Sequence, residues 1–267
     1  MVLHEFKTIS KNLEKEILKD SLKEFNPITA YTLVNGCIDD YFYKKINIPK
    51  VKERYSGDYV KLLIKYYKRL RNYINCNELY AIYNIEGDIY EVSKRLDEET
   101  ILCDNRNVTY REIKFMFQNA LSGIQKLEKG QEFDLGIDSA IWNYTKDAVF
   151  FDYDPPKILE GDSLFITKND EDYKKRVLYR NFNYIGMRVN TLGTIFLGNE
   201  NWNFNIENMT AENVVELIEI MIESINNQEQ KNILLEQIYG DFNVDDFDKH
   251  PINIIRKELK KNERNRY

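Results

Sequence analysis

The chain has 267 residues, of which 43% are hydrophobic and 31% charged, and its formal net charge is −6. This length and apolar content predict one large domain or two packed lobes with a sizeable core, and they exclude a disordered tail. The acidic balance argues against a broad surface for nucleic acid, and the lack of an uncharged apolar run of about 18 residues argues against a membrane span.

In chain order, the first part of the sequence alternates helical patterns with β-rich runs. Residues 8–24 have the spacing of an amphipathic helix, and "ITAYTLVNGCIDDYFYKK" predicts a hairpin that turns at Asn35-Gly36, since both residues tolerate positive φ. Residues 50–74 predict a second helix with one apolar face. The run "ELYAIYNIEGDIYEVSKRL" predicts another hairpin, with its turn at residues 86–88.

The second part of the sequence is mostly helical. Thr109 and Glu112 match a capping box, which predicts a helix that continues to about Leu127. The segments "DLGID" and "AVFFDY" predict two short strands around a loop. Further helices are predicted near residues 170–186, 210–226 and 229–239. This order of elements predicts an α+β, two-lobed protein.

Few residues are suited to thiol or imidazole chemistry. The three cysteines, Cys37, Cys76 and Cys103, have no CxxC spacing, and the two histidines are His4 and His250. We therefore expect reduced thiols and no zinc site, and we expect carboxylates, lysines and amides to carry any catalysis. The first 20 residues lack the apolar core of a signal peptide, which predicts a cytoplasmic location.

The stretch "LGIDSAIWNYTKDAVFFDYDPP" places several polar groups within an apolar frame. Asp138, Asn143, Asp152 and Asp154 all lie there. Carboxylates beside a core are costly unless they have a partner such as a metal ion. In phosphoryl transfer, one carboxylate orients the acceptor hydroxyl, a second holds Mg²⁺, and an amide oxygen completes the metal shell.

The spacing D-x-x-x-x-N in "DSAIWN", followed by an apolar run that ends in Asp, resembles the catalytic loop and metal-binding segment of the protein-kinase-like superfamily. It is most similar to the aminoglycoside and small-molecule kinases. The resemblance implies that Asp138 stands at the catalytic base position, and that Asn143 and Asp152 stand at the two metal-ligand positions. The cofactors that it implies are ATP and Mg²⁺.

The resemblance extends over roughly residues 27 to 240. It implies an N-lobe at 1–96, which covers the nucleotide, and a C-lobe at 97–267, which binds the acceptor. The hairpin with Gly36 would cover the phosphates, and Lys44 or Lys45 would be the phosphate-binding lysine.

The sequence also departs from the superfamily pattern. Gly136 stands where the loop usually has His, and the phosphate loop has the single glycine Gly36. No obvious Glu partner for Lys44 exists, and Glu53 is the nearest candidate. No A-P-E segment is present, which favours a small-molecule acceptor over a protein.

The function predicted from these residues is an ATP- and Mg²⁺-dependent phosphotransferase. It would act on a hydroxyl of a small molecule, in antibiotic resistance or specialised metabolism, without nucleic acid or membrane partners. One alternative is a catalytically inactive kinase-like protein that binds a ligand or partner, and another is an all-helical interaction protein. At the residue level, Asp138, Asn143 and Asp152 could be ordinary turn residues, and Lys44 could be a solvated lysine at a strand edge. The oligomeric state and the acceptor stay open.

Overall fold

The computed structural model describes residues 2–7, 12–21, 32–47, 58–97, 99–101, 106–153, 156–159, 171–201, 204–240 and 251–264. Four residues discussed above, Glu53, Cys103, Asp154 and His250, lie outside these ranges, so their predicted roles stay predictions.

Helices and strands within these ranges follow one another in a mixed α/β order. They are β1 (Val2–Glu5), α1 (Leu13–Ser21), β2 (Thr32–Ile38), β3 (Tyr41–Ile46), α2 (Tyr59–Leu70), β4 (Leu79–Ile85), β5 (Asp88–Lys94), β6 (Arg106–Thr109), α3 (Tyr110–Lys129), α4 (Glu171–Phe182), α5 (Tyr184–Asn201), β7 (Phe204–Glu207), α6 (Ala211–Glu223), α7 (Gln228–Tyr239) and α8 (Pro251–Arg264). A 3₁₀ turn, Ile141–Asn143, follows α3.

The chain divides into two compact units. The first comprises Met1–Asn72, Cys76–Glu98 and Tyr153–Lys174, and the second comprises Tyr73–Asn75, Glu99–Asp152 and Lys175–Tyr267. Each unit therefore contains more than one stretch of the chain.

The first unit is built around a five-stranded antiparallel sheet. Its strand order is β1-β4-β5-β3-β2, which puts β5 at the centre between two antiparallel neighbours. Helix α1 packs on one face, where Leu13 and Ile17 bury their side chains against Tyr43, Tyr90 and Val92. Successive side chains of a strand point to opposite faces, so the residues between these core positions face away from α1.

Helix α2 buries one complete side in the first unit. The buried residues are Tyr59, Leu62, Leu63, Tyr66, Tyr67 and Leu70. The helix begins after Asp58, whose carboxylate accepts hydrogen bonds from the Val60 and Lys61 amides and so satisfies two free amides of the first turn. The predicted apolar face is confirmed, although the helix ends four residues before the predicted end at residue 74.

The second unit is largely helical. Helix α5 packs against α3, α6 and α8, and it is buried along most of its length, as its mixture of apolar and small polar residues indicates. Two short strands, β6 and β7, pair in parallel beside these helices. The unit thus surrounds α5 with other helices, and α5 is the element on which the neighbouring loops are fixed.

A buried arginine connects several helices of the second unit. The Arg188 side chain on α5 is completely buried, and its guanidinium donates to Glu128 of α3 at 2.6 Å, to the Ser224 hydroxyl at 3.0 Å and to the Tyr184 carbonyl at 3.1 Å. Burial lowers the pKa of Arg188, while the Glu128 carboxylate opposes that change. The ends of α3 and α6 are therefore tied to α5 by charge-assisted hydrogen bonds.

Several sequence-based predictions are confirmed. The α+β class is correct, with a five-stranded antiparallel sheet and a mostly helical remainder, and this sheet rules out the all-helical alternative. The hairpin turn at Glu86-Gly87 is correct, and both residues have positive φ, as a two-residue turn of this kind requires. The capping box of Thr109 and Glu112 is also present.

Two local predictions are wrong. The segments "DLGID" and "AVFFDY" form no strand where they are described and contain only isolated bridge positions. The first hairpin turns at Asp39-Asp40, and Asn35-Gly36 lies inside β2. None of the helices in the described ranges has the length and apolar content needed to cross a bilayer.

Candidate functional site

The loop after α3 approaches the end of α4 very closely. The Ile137 amide donates to the Asn181 carbonyl at 2.9 Å, which brings the loop backbone against the last turn of that helix. A Cβ atom on Gly136 would lie 2.3 Å from the Asn181 carbonyl oxygen and 2.8 Å from the Phe182 ring. No side chain fits at this position without displacing the loop or the helix, so the backbone contact requires glycine here.

The same loop is fixed on α5 by buried hydrogen bonds. The Ser139 hydroxyl donates to the Met187 carbonyl at 2.8 Å, and the Ile141 amide donates to the Thr194 hydroxyl at 3.0 Å. Ser139 and Ile141 are completely buried. A loop held this way on a helix gives the polar side chains next to it a defined position.

Asp138 lies between Ile137, which is bonded to α4, and Ser139, which is bonded to α5, and it is half-buried. Its carboxylate accepts a single long hydrogen bond, 3.5 Å, from the Ala140 amide, and within the described ranges it forms no ion pair. A partly buried carboxylate without a cationic partner is well placed to accept a hydrogen bond or a proton from a bound molecule.

Asn143 ends the 3₁₀ turn, and its amide group has a fixed orientation. The side-chain NH₂ donates to the Asp138 carbonyl at 3.0 Å, and the side chain is buried. No described residue donates a hydrogen bond to the Asn143 amide oxygen. With its nitrogen held by Asp138, this oxygen is the atom that Asn143 can offer to a cation.

Asp152 is brought back beside Asn143 by a tight turn. The Thr145 amide donates to the Val149 carbonyl at 2.9 Å, and Ala148 within the turn has φ of +60°. The Phe151 amide then donates to the Asn143 carbonyl at 3.1 Å, so Asp152 follows directly after a residue bonded to Asn143. Asp152 is half-buried.

Two hydrogen bonds therefore link Asn143 to the backbone of Asp138 and of Phe151, the residue before Asp152, within the second unit. Asn143 is bonded to the Asp138 carbonyl by its side chain and to the Phe151 amide by its own carbonyl. In the part of the chain that is described, no three Asp, Glu, His or Cys side chains form a group that could hold a metal ion by themselves. One amide oxygen and one carboxylate suit Mg²⁺, because this ion keeps several waters and binds substrate phosphates.

The two candidate phosphate lysines belong to β3 in the first unit and point to opposite faces of the sheet. Lys45 lies opposite Tyr90, on the face covered by α1, and its ammonium forms an ion pair with Asp88 at 2.6 Å. Lys44 lies opposite Glu91 of β5, on the other face. Lys45 is therefore paired within its own sheet, and the predicted phosphate contact of Lys44 stays a prediction.

Gly36 has a packing role that the sequence did not predict. It lies opposite Tyr43 in the antiparallel pair of β2 and β3, and a Cβ on Gly36 would be 2.7 Å from the Tyr43 hydroxyl. The Tyr43 ring thus occupies the space that a side chain at 36 would need. The turn forms instead at Asp39-Asp40, where Asp39 has φ of +50°. The predicted phosphate contact of Gly36 stays a prediction.

Cys76 and His4 are poorly suited to thiol and imidazole chemistry. Burial raises the pKa of the Cys76 thiol to about 12, so the thiol is protonated at neutral pH and is a poor nucleophile. His4 packs edge-on against Phe6, and burial together with the Lys68 ammonium lowers its pKa.

A comparison of the chain with models of known protein families finds no match, and a comparison with functionally characterised proteins finds none either. The kinase-like interpretation thus depends on the residues of the loop, their spacing and their geometry.

Proposed function

We propose that the protein is a phosphotransferase with a two-lobed, kinase-like fold that uses ATP and Mg²⁺ to phosphorylate a hydroxyl group of a small molecule. The observation that carries the proposal is the hydrogen-bonded connection of Asp138, Asn143 and the segment that ends in Asp152. These bonds hold the backbone of Asp138 and of Phe151, the residue before Asp152, against Asn143, which supports a shared site for the three residues.

Each residue of the loop has a distinct role in this proposal. The Asp138 carboxylate orients the acceptor hydroxyl and takes its proton as the oxygen attacks the terminal phosphorus and the bond to the ADP oxygen breaks. Asn143 and Asp152 offer one amide oxygen and one carboxylate to Mg²⁺. When bound, Mg²⁺ neutralises the charge that develops on the phosphate oxygens. Lys44 is the proposed phosphate-binding lysine.

The decisive experiment separates chemistry from nucleotide binding. Asp138→Asn keeps the size of the side chain and removes its ability to accept a proton, so we expect ADP formation to fall by about 10²- to 10⁴-fold while ATP–Mg²⁺ binding is retained. Asp152→Ala should instead abolish the Mg²⁺-dependent part of nucleotide binding. Turnover is followed as ADP release with a panel of hydroxyl-bearing small molecules, and binding by titration calorimetry.

The matched control is Asp147→Asn, since Asp147 is an exposed carboxylate in the same loop. This variant should keep wild-type turnover and binding. Near-normal turnover in Asp138→Asn would contradict the role of Asp138, and unchanged binding in Asp152→Ala would contradict that of Asp152.

A catalytically inactive kinase-like protein is the second candidate. The observation that favours it is the β2–β3 hairpin, whose tip is Asp39-Asp40, because two carboxylates there would repel a nucleotide phosphate. A thermal-shift measurement distinguishes the two candidates. ATP with Mg²⁺ should raise the unfolding temperature of the enzyme, since a ligand that binds only the folded state stabilises it. The absence of a shift with any nucleotide would favour the inactive protein.

A further inference from the structure

A short hairpin loop connects Asn143 with Asp152. Its two arms meet at the base, where the Phe151 amide donates to the Asn143 carbonyl at 3.1 Å. They meet again near the tip, where the Thr145 amide donates to the Val149 carbonyl at 2.9 Å. The two predicted metal ligands stand at the base, so their positions depend on the direction in which the hairpin loop runs.

The tip of the hairpin loop carries backbone strain. Ala148 has φ of +60°, in the left-handed region that is unfavourable for a residue with a side chain. Such a conformation persists only where the surrounding groups hold it in place. Within the tip, the Val149 amide donates to the Thr145 hydroxyl at 3.0 Å. From outside, the Thr100 carbonyl accepts a hydrogen bond of 2.8 Å from the Lys146 amide.

The Lys146 side chain ties the tip to α3. Its ammonium lies 3.4 Å from Oε1 of Glu112, and 25% and 35% of the two side chains are exposed. The other oxygen of Glu112, Oε2, accepts hydrogen bonds of 2.8 Å from both the amide and the hydroxyl of Thr109. One carboxylate therefore serves the start of α3 and the tip of the hairpin loop at the same time.

Glu112 is ionised in this arrangement. Burial raises the pKa of its carboxyl group, but the hydrogen bonds from Thr109 and the Lys146 ammonium outweigh burial and lower the pKa below its ordinary value. The same helix offers an internal comparison, because Lys114 forms an ion pair with Glu216 of α6 instead. Two ion pairs of α3 thus differ in what they hold, and the pair with Lys146 holds the hairpin loop.

We propose that Lys146, held by Glu112, is the positioning residue that directs the hairpin loop so that Asp152 and Asn143 bind the same Mg²⁺. The inference rests on the proposed phosphotransferase function and deepens it. Lys146 touches neither the metal nor the nucleotide in this proposal, and it acts through the backbone of the hairpin loop.

The first test measures the hairpin loop in the absence of nucleotide. Solvent exchange of the Phe151 amide, followed by NMR, reports how often its bond to Asn143 opens. Lys146→Met should accelerate this exchange about two- to fivefold, the range expected for a partly exposed ion pair. Lys146→Glu places a like charge beside Glu112 and should accelerate the exchange further. Lys146→Arg keeps the ion pair and should exchange at the wild-type rate.

The matched control is Lys114→Met, which removes the other ion pair of α3 and should leave the exchange of the Phe151 amide unchanged. Equal acceleration in Lys114→Met would overturn the inference, since any loosening of α3 would then have the same effect. An unchanged rate in Lys146→Glu would overturn it as well.

A reciprocal variant separates the ion pair from the capping box. In Glu112→Gln the glutamine can still accept from the Thr109 amide, which keeps the box, but the charge is lost. The Phe151 amide should then exchange as fast as in Lys146→Met, and the double variant should be no faster than either single variant. If the two effects added up instead, the residues would act independently and the proposed tie would be wrong.

The Mg²⁺ requirement links the hairpin loop to function. At fixed ATP, the Mg²⁺ concentration for half-maximal turnover should rise about two- to fivefold in Lys146→Met, while turnover at saturating Mg²⁺ is retained. Lys146→Arg and Lys114→Met should both keep the wild-type requirement. The split is expected because Lys146 orients a metal ligand and takes no part in the chemical step.

The outcomes distinguish the positioning role from the proposed function. An unchanged Mg²⁺ requirement in Lys146→Met, or a turnover that falls equally at every Mg²⁺ concentration, would refute the positioning role and leave the proposed function intact. If the wild-type protein itself binds no nucleotide with Mg²⁺, the proposed function fails. The positioning role then fails with it, even where amide exchange shows that Lys146 holds the hairpin loop.

Discussion

Gly136 allows a backbone contact that every other residue would prevent. Because an added Cβ would lie 2.3 Å from the Asn181 carbonyl oxygen, Gly136→Ala must displace either the loop or the end of α4. We expect a loss of about 1–3 kcal/mol in the free energy of unfolding, measured by urea denaturation. Since the displaced loop carries Asp138, turnover should fall as well.

The control for this prediction is Gly123→Ala. A Cβ on Gly123 would meet a side-chain carbon of Ile74 at 3.0 Å, and that side chain can adjust, while alanine favours the helix more than glycine does. Its effect on stability should therefore be smaller, and its effect on turnover absent. If both variants lost the same free energy of unfolding, the close contact at Gly136 would contribute no more to stability than the contact at Gly123.

At the level of single residues, the sequence indicated candidate side chains but not the contacts that surround them, and the roles of these side chains stay predictions. Asp138, Asn143 and Asp152 were found by spacing, and hydrogen bonds now connect their segments. The position of Glu91 opposite Lys44 had no signal in the sequence, because only the pairing of β3 with β5 brings the two residues together. Strand pairing is a long-range property, and the identity of a residue carries no signal for it.

At the level of elements, the two hairpins show when a turn-forming dipeptide in the sequence is enough to locate the turn. Glu86-Gly87 turns as predicted, and there Gly87 has φ of +94° with no heavy atom within 4 Å of an added Cβ. Asn35-Gly36 carries the stronger turn signal but lies within a strand, because the Tyr43 ring needs the space beside Gly36. Packing against an aromatic neighbour is an equally good reason for glycine in a strand.

The contact of α3 with α6 predicts a specific response to acid. Glu216 on α6 accepts hydrogen bonds from the Lys114 ammonium and the Tyr110 hydroxyl of α3, and these bonds lower its pKa below the ordinary value of 4.5. Because the pKa of Glu216 is lower in the folded than in the unfolded protein, the ionised carboxylate stabilises the fold at pH values above its unfolded-state pKa. This stabilisation is lost as the pH falls through the folded-state pKa.

Glu216→Gln should therefore be less stable than the wild type at pH 7, and the difference should shrink as the pH falls below about 5. Urea denaturation at several pH values measures this change. The control is Glu219→Gln, an exposed glutamate on the same helix. A stability difference between wild type and Glu216→Gln that is independent of pH would contradict the assigned interaction.

At the level of the whole molecule, the buried Arg188 ties the ends of α3 and α6 to α5. Arg188→Met keeps most of the volume but leaves Glu128 without its partner, and we expect a loss of about 3–5 kcal/mol in the free energy of unfolding. The double variant Arg188→Met/Glu128→Gln also removes the unpaired Glu128 charge, so it should recover part of the lost free energy of unfolding. Circular dichroism in urea measures both changes, and an equal loss in the double variant would mean that packing, not charge, explains the effect.

The sequence predicted the secondary-structure class of the whole molecule but not which segments belong to the same compact unit. The α+β class followed from the order of periodic runs. No local sequence pattern indicates that Tyr73–Asn75 belongs to the second unit or that Tyr153–Lys174 belongs to the first. Such exchanges come from contacts between residues far apart in the chain, for example the hydrogen bond from the Phe150 amide to the Asn75 carbonyl at 2.8 Å.

The alternation of Lys44 and Lys45 limits where this protein can change in length. Inserting or deleting one residue within β3 would exchange the two ammonium groups between the faces of the sheet, with Lys45 then beside Glu91. Strand β3 has a partner on each side, so both neighbours would resist the slip. Natural or engineered changes in length should therefore be tolerated at the Asp39-Asp40 tip and selected against in the strand.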